Sequence, residues 1–295
     1  MPVLKGLLAS LSIAVTTVCV CIILFLWWLQ LVFASQAGKG AAQQKLDRII
    51  IWWTRSNRWM IRRLNLITPE IHWQGRERLS PSKWYLVVCN HQTWADILLL
   101  QSYLLEDIPP LKFFTKSQLI WLPFIGQAMV VLGFPYVKRV SKAQMKKKPE
   151  LRYADRDNVY KACERFKNHP TSILNFAEGT RLTELKHAQQ GRAFQHLLKP
   201  KAGGITYTLE GMGPTLSALV DVTLIYPEGV PTFWDFLQGK CRRVVFDARV
   251  VNIPDLPSGE QGQLERKAQT SRWVQALWEE KDAAITRHLK STVTD

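Results

Sequence analysis

Internal repeats, low-complexity tracts and a disordered linker are all missing from this chain of 295 residues, so one catalytic-sized domain with an appendage is the economical reading. Cysteine is scarce. Cys19, Cys21, Cys89, Cys163 and Cys241 make an odd set without metal-type spacing, which argues against a disulfide-stapled fold and for free thiols in a reducing compartment. The six histidines show no zinc-ligand spacing, and no metal site is expected. Acidic residues are also few. Against 39 Lys and Arg stand 24 Asp and Glu, a formal net charge of +15, which calls for an anionic partner. Nucleic acid and an anionic membrane surface are the two candidates that composition leaves open.

The N-terminus chooses between them. The 28 residues from Gly6 to Phe33 carry no charge, and as a helix they would reach about 42 Å, enough to cross a hydrocarbon core of about 30 Å with tilt. The alternative is a signal peptide cleaved near Ala34–Ala37, but the apolar stretch exceeds the usual signal core. Lys39, Lys45, Arg48, Arg55, Arg58, Arg62 and Arg63 follow it, against one acid, Asp47. This asymmetry predicts that the rest of the chain lies in the cytoplasm. Residues 44–65 then place Leu46, Ile50, Trp53, Met60 and Leu64 on one helical stripe. That pattern fits an amphipathic helix in the membrane interface, and equally by spacing a core helix with a charged outer face. Position beside the anchor favours the interface. The expected divisions are an anchor over 1–38, an interfacial helix over 39–69 and a catalytic domain over 70–295.

Beyond Ile71, short β-rich runs alternate with helical patterns, as in an α/β domain. Strands are expected at Trp84–Cys89, Ile173–Phe176, Leu219–Tyr226 and Arg243–Val251. Helices are expected at Ile97–Leu105, Asn158–Lys167 and Gln263–Leu289, the last with Trp273, Leu277 and Ile285 at helical spacing.

Three clusters carry chemistry. Directly after the first strand comes NHQTWAD, Asn90 to Asp96. A histidine followed five residues later by an aspartate can close a turn on itself, the carboxylate fixing the tautomer and leaving the other ring nitrogen as a general base. A structural histidine beside a helix-capping aspartate is the alternative. No serine or cysteine sits in a nucleophile-elbow setting, so the natural nucleophile is a substrate hydroxyl. The second cluster is NFAEGTR, Asn175 to Arg181, where Gly179 permits a tight turn and Arg181 offers a fork suited to phosphate oxygens. An incidental Glu178–Arg181 salt bridge is the competing account. The third is GFPYVKR, Gly133 to Arg139, with Lys138 and Arg139 as candidate phosphate clamps and Lys142, Lys146, Lys147, Lys148 and Arg152 extending the basic stretch.

Taken in order, NHQTWAD, GFPYVKR, FAEGTR and VTLIYP resemble the four blocks of the glycerolipid acyltransferase superfamily, which contains the PlsC-like lysophosphatidic acid acyltransferases. Within it, FAEGTRLTELKH resembles the branch of the bacterial YihG-type inner-membrane enzyme and the eukaryotic lysocardiolipin-type enzymes. The similarity covers about residues 70–255. It implies an α/β fold with a central, mostly mixed sheet flanked by helices, preceded by a membrane helix and an interfacial helix. It implies His91 as general base and Asp96 as its orienting carboxylate. Arg139, Lys138, Glu178, Gly179, Thr180 and Arg181 would bind the acceptor's phosphate, and Val222, Leu224, Tyr226 and Pro227 of the fourth block would accommodate the acyl chain. Ala177 departs from the proline of many members, and Lys138 from their acidic or apolar residue.

The implied activity is transfer of a fatty acyl group from acyl-CoA or an acyl carrier protein to the free hydroxyl of a lysophospholipid, foremost lysophosphatidic acid, in phospholipid biosynthesis. No cofactor beyond the thioester co-substrate and no metal is implied. The expected location is the bacterial inner membrane, with the catalytic domain on the cytoplasmic side and anionic lipids as partners. Another lysophospholipid headgroup, or a thioesterase or lipid hydrolase using the same His91 and Asp96 on water, stands as an alternative. A membrane-tethered nucleic-acid binder is the rival from another class, but no recognised nucleic-acid module accompanies the basic charge.

Overall fold

The computed structural model describes residues 1–32, 39–116, 120–121, 125–134, 136–137, 154–257 and 262–293. Lys138, Arg139 and the basic stretch from Lys142 to Arg152 lie outside them. A six-stranded mixed sheet runs in the order β1 (Thr68–Gln74), β8 (Arg243–Val251), β7 (Leu216–Ile225), β2 (Trp84–Cys89), β6 (Ser172–Phe176), β3 (Leu111–Phe113). The strands β7, β2, β6 and β3 are mutually parallel, while β8 pairs antiparallel with β7 and parallel with β1. A separate parallel pair joins β4 (Thr115–Lys116) to β5 (Tyr136–Val137).

The unbroken apolar run WYLVVC is explained by burial on both faces, as parallel strands require. Tyr85, Val87 and Cys89 pack toward α2 (Lys39–Arg63) and α3 (Ala95–Leu104). Leu86 and Val88 pack toward α5 (Ala154–Lys167), α7 (Gly203–Met212) and α9 (Gln263–Val293). Leu277 and Ile285 of α9 are buried in that second layer, as their spacing predicted. Three short helices, α4 (Ile125–Val131), α6 (Glu184–Gln189) and α8 (Phe233–Leu237), lie between the longer elements.

Among the described residues one helix, Pro2–Val32 (α1), is long and apolar enough to cross a membrane by length and composition. One of its faces is covered. Ala9 joins the same core layer as Met60 and Ile61 of α2, while Val20, Cys21 and Leu24 pack with Leu46 and Ile50 of α2 and Ala128 of α4. Leu4, Leu7, Leu8, Leu11, Val15, Val18, Ile22 and Leu26 remain exposed along the helix. The stripe on α2 behaves as the core-helix alternative describes. Leu46, Ile50 and Met60 are buried against protein, and Trp53 and Leu64 pack beside them. The exposed aromatics of α2 are instead Trp52 and Trp59. Packing thus continues across the boundaries expected at 38 and 69, and β1 begins at Thr68.

Candidate active site

Three parallel strands end side by side, and each delivers one part of the site. Strand β2 runs into Asn90 and His91, β6 into Ala177 and Glu178, and β7 into Tyr226. The C-terminal edge of a parallel sheet is where polar side chains emerge from an apolar core.

The register between β2 and β7 is locked at its end by Asn90. Its Nδ2 donates to the carbonyl of Leu224 and its Oδ1 accepts from the amide of Leu224, both at 2.9 Å and without exposure. This clamp aims the next residue. His91 Nδ1 lies 2.9 Å from Asp96 Oδ2, and since a carboxylate only accepts, Nδ1 carries the proton and Nε2 presents its lone pair. Among the described residues nothing hydrogen-bonds to Nε2. The ring stacks on Phe176, with centroids 4.0 Å apart and planes 18° apart, which restrains its rotation.

Asp96 is completely buried at the first turn of α3. An ionised carboxylate there requires donors, and it has them: Oδ2 accepts from the amides of Gln92 (2.6 Å) and Thr93 (2.9 Å), and Oδ1 from the hydroxyl of Tyr226 (2.6 Å). Burial, and then the charge of Asp96, hold the Tyr226 phenol well above its ordinary value, so it stays a donor. Cys89, one residue before the clamp, is fully buried, and burial pushes its thiol well up. It is not a nucleophile, because the thiolate is the reactive form.

The FAEGTR block turns on Gly179, at φ +69°, closed by Gly179 N donating to Phe176 O at 2.8 Å. Glu178 is fully buried, and its Oε1 accepts from the backbone amide of His91 at 3.2 Å. Burial raises its carboxyl to about 8, against the lowering effect of the His91 and Leu198 amides. The expected contact of Glu178 with a phosphate is therefore corrected. Glu178 points inward at the backbone of His91 and presents no surface to a phosphate. Thr180 accepts from Lys186 Nζ at 2.8 Å, and the same ammonium donates to the Arg181 carbonyl at 3.0 Å. The guanidinium of Arg181 is exposed and sits 4.8 Å from the ring centroid of the exposed Trp94, with no Glu178 salt bridge. Lys201 passes the turn so closely that a side chain at Gly179 would lie 3.2 Å from its Nζ.

The fourth block departs most from expectation. Val222 and Leu224 have no exposed surface inside the core, and Tyr226 is engaged with Asp96. None of the three offers a wall to an acyl chain. Pro227 is half-buried beside them. Asn90, Phe176, Lys186 and the Tyr226 hydroxyl contact the candidate site residues, contacts that sequence reasoning missed, and only the position of Asn90 beside His91 carried a local signal.

The buried Glu178 makes a pH prediction. The folded state holds this proton where an unfolded glutamate titrates near 4.5. The stability it contributes is fully present below that value and is lost as pH rises toward about 8, by up to about 1.4 kcal/mol per pH unit. Glu178→Gln, a neutral isostere, should match the native chain in thermal unfolding at acidic pH and exceed it above about pH 8. A stability difference that does not change with pH would count against this account.

The comparisons with known proteins bear on the family and the fold. A family model described as Acyltransferase matches residues 70–226. Lysocardiolipin acyltransferase 1 of Gallus gallus is 26% identical over 221 residues, covering 70% of this chain and 54% of that protein. The 1-acyl-sn-glycerol-3-phosphate acyltransferase gamma of Homo sapiens is 28% identical over 183 residues, 58% of this chain and 44% of its own. The chain spans about half the length of the curated relatives it matches. The crystal structure of the 1-acyl-sn-glycerophosphate (LPA) acyltransferase PlsC from Thermotoga maritima shares the fold with a TM-score of 0.50 at 17% identity, covering 94% of this chain and 98% of that one.

Proposed function

The chain belongs to the acyltransferase family, and from that premise we propose that it moves a fatty acyl group from an acyl thioester to the free glycerol hydroxyl of lysophosphatidic acid. The observation that carries the reading is the His91–Asp96 pair at 2.9 Å, with Nε2 unengaged at the end of a parallel sheet. In this reaction Nε2 takes the proton of the hydroxyl as its oxygen attacks the thioester carbonyl. The tetrahedral intermediate collapses, the carbon–sulfur bond breaks, and the imidazolium returns its proton to the departing thiolate of coenzyme A or carrier protein. Asp96 keeps its negative charge throughout and stabilises the imidazolium.

Arg181, with Lys186 and Lys201 close to the same turn, supplies the positive side of the acceptor site. Arg181→Ala should cost on the order of 1.5–3 kcal/mol, roughly ten- to a hundredfold in acceptor kcat/KM, with donor KM little changed. Lysine there should restore only part, because an ammonium lacks the bidentate fork. A raised donor KM with unchanged acceptor dependence would instead assign Arg181 to the thioester side.

The exposed apolar face of α1 and the exposed Trp52 and Trp59 of α2 support membrane association. We place the catalytic domain on the cytoplasmic side of a bacterial inner membrane, from the basic residues that follow α1. Protease added to intact spheroplasts should leave that domain uncut, and its digestion from outside would reverse the orientation.

Purified protein given a panel of lysophospholipids with acyl-CoA or acyl carrier protein, followed by mass spectrometry, tests the function. New ester on lysophosphatidic acid supports the proposal. Ester only on another lysophospholipid moves it to a different headgroup, and free fatty acid released regardless of acceptor identifies a hydrolase.

A further inference from the structure

Three strands away from the site, at the β1 edge of the sheet, four side chains of ligand type meet from three elements. Glu70 and His72 stand on β1, Asp247 on β8 directly opposite His72 in the strand register, and His288 near the end of α9. His72 Nε2 lies 2.9 Å from Glu70 Oε1, and His288 Nε2 lies 3.2 Å from Asp247 Oδ2. The two imidazole centroids are 5.0 Å apart. One ligand atom from each of Glu70, His72 and His288 lies within 4.8 Å of the other two. Around a tetrahedral zinc ion with bonds of about 2.1 Å, neighbouring ligand atoms are about 3.4 Å apart. The two histidine–carboxylate separations, 2.9 and 3.2 Å, are hydrogen-bonded contacts shorter than that value, and Asp247 stands beside His288, outside the group of three. Small side-chain rotations of the half-exposed Glu70 and His72 would close the remaining distance.

We propose that Glu70, His72, Asp247 and His288 form a binding site for a zinc-like divalent transition metal, distinct from the acyl-transfer site. Two imidazoles with carboxylates suit zinc, copper or nickel, whereas calcium and magnesium ask for all-oxygen shells. The cluster was invisible in sequence spacing because its members are scattered from position 70 to 288. Arg243 holds the other oxygen of Glu70 at 3.0 Å, which leaves Oε1 toward the histidines. A bound ion would clip the last turns of α9 over the edge strand β1, whose outer side carries no partner strand among the described residues. The site therefore has a structural task rather than a part in proton transfer.

The test uses the untagged full chain in detergent, stripped by chelator, with zinc alone as probe. Equilibrium dialysis should show one high-affinity zinc per chain, and zinc should raise the unfolding temperature. His72→Gln and His288→Gln should each weaken uptake by at least roughly tenfold and abolish the thermal shift. His72 lies half-exposed at the edge, so its glutamine variant is expected to unfold at the native temperature when zinc is absent. If the native chain takes up no more zinc than the double variant, or if the thermal shift survives in both single variants, the proposal is wrong.

Discussion

His91→Ala should lose about 10²–10⁴-fold in turnover, the range that a positioned general base contributes, while binding of the thioester donor is little changed. The reason is local. Nε2 is the one ring position left open once Nδ1 is committed to Asp96, and the 4.0 Å stack on Phe176 keeps that position aimed in one direction. The folded state should tolerate the substitution, since among the described residues the side chain makes no other hydrogen bond and its neighbours Asn90 and Asp96 are held by separate partners. Circular dichroism and thermal unfolding check the fold, and a product assay checks the rate. Turnover within about tenfold of the native chain would remove the general-base role.

Asp96→Asn should be nearly as damaging, with a loss of about 10²–10⁴-fold, and the cause is charge rather than shape. An asparagine can point its oxygen at His91 Nδ1 and at the amides of Gln92 and Thr93, and its amide nitrogen at the Tyr226 oxygen. The geometry survives, but the negative charge facing the developing imidazolium is gone. Tyr226→Phe tests the same carboxylate from behind. It removes the 2.6 Å hydrogen bond to Oδ1 and should cost about tenfold, through Asp96 and without altering acceptor KM. Because Tyr226 acts through Asp96, the double variant Asp96→Asn, Tyr226→Phe should be no slower than Asp96→Asn alone. Full additivity of the two losses would show that Tyr226 touches the reaction by some other route.

Parts of the fold were legible from residues. WYLVVC declared itself as a buried strand, and the helix of α9 followed from Trp273, Leu277 and Ile285. Strand β1, TPEIHWQ, was missed because an exposed edge strand shows neither an apolar run nor clean alternation. Strand β3 was missed because three residues carry too little pattern. The stripe on α2 was real, but periodicity reports only that a helix has an apolar face and is silent on whether lipid or protein covers it.

By itself the sequence determined what lies within a few positions along the chain: the His91–Asp96 turn, its two ends five positions apart and placed at a strand end, the tight turn at Gly179, and the apolar length of α1. Such features depend on local backbone geometry and periodicity, which neighbouring residues dictate. Tertiary structure alone decided the partners. Tyr226 reaches Asp96 across 130 positions and Asn90 clamps Leu224 across 134, because parallel pairing brings remote strand ends together. It also decided that Glu178 faces inward to His91 and that Val222 and Leu224 vanish into the core. Burial is a property of what packs around a side chain, and a motif states only which side chain is there.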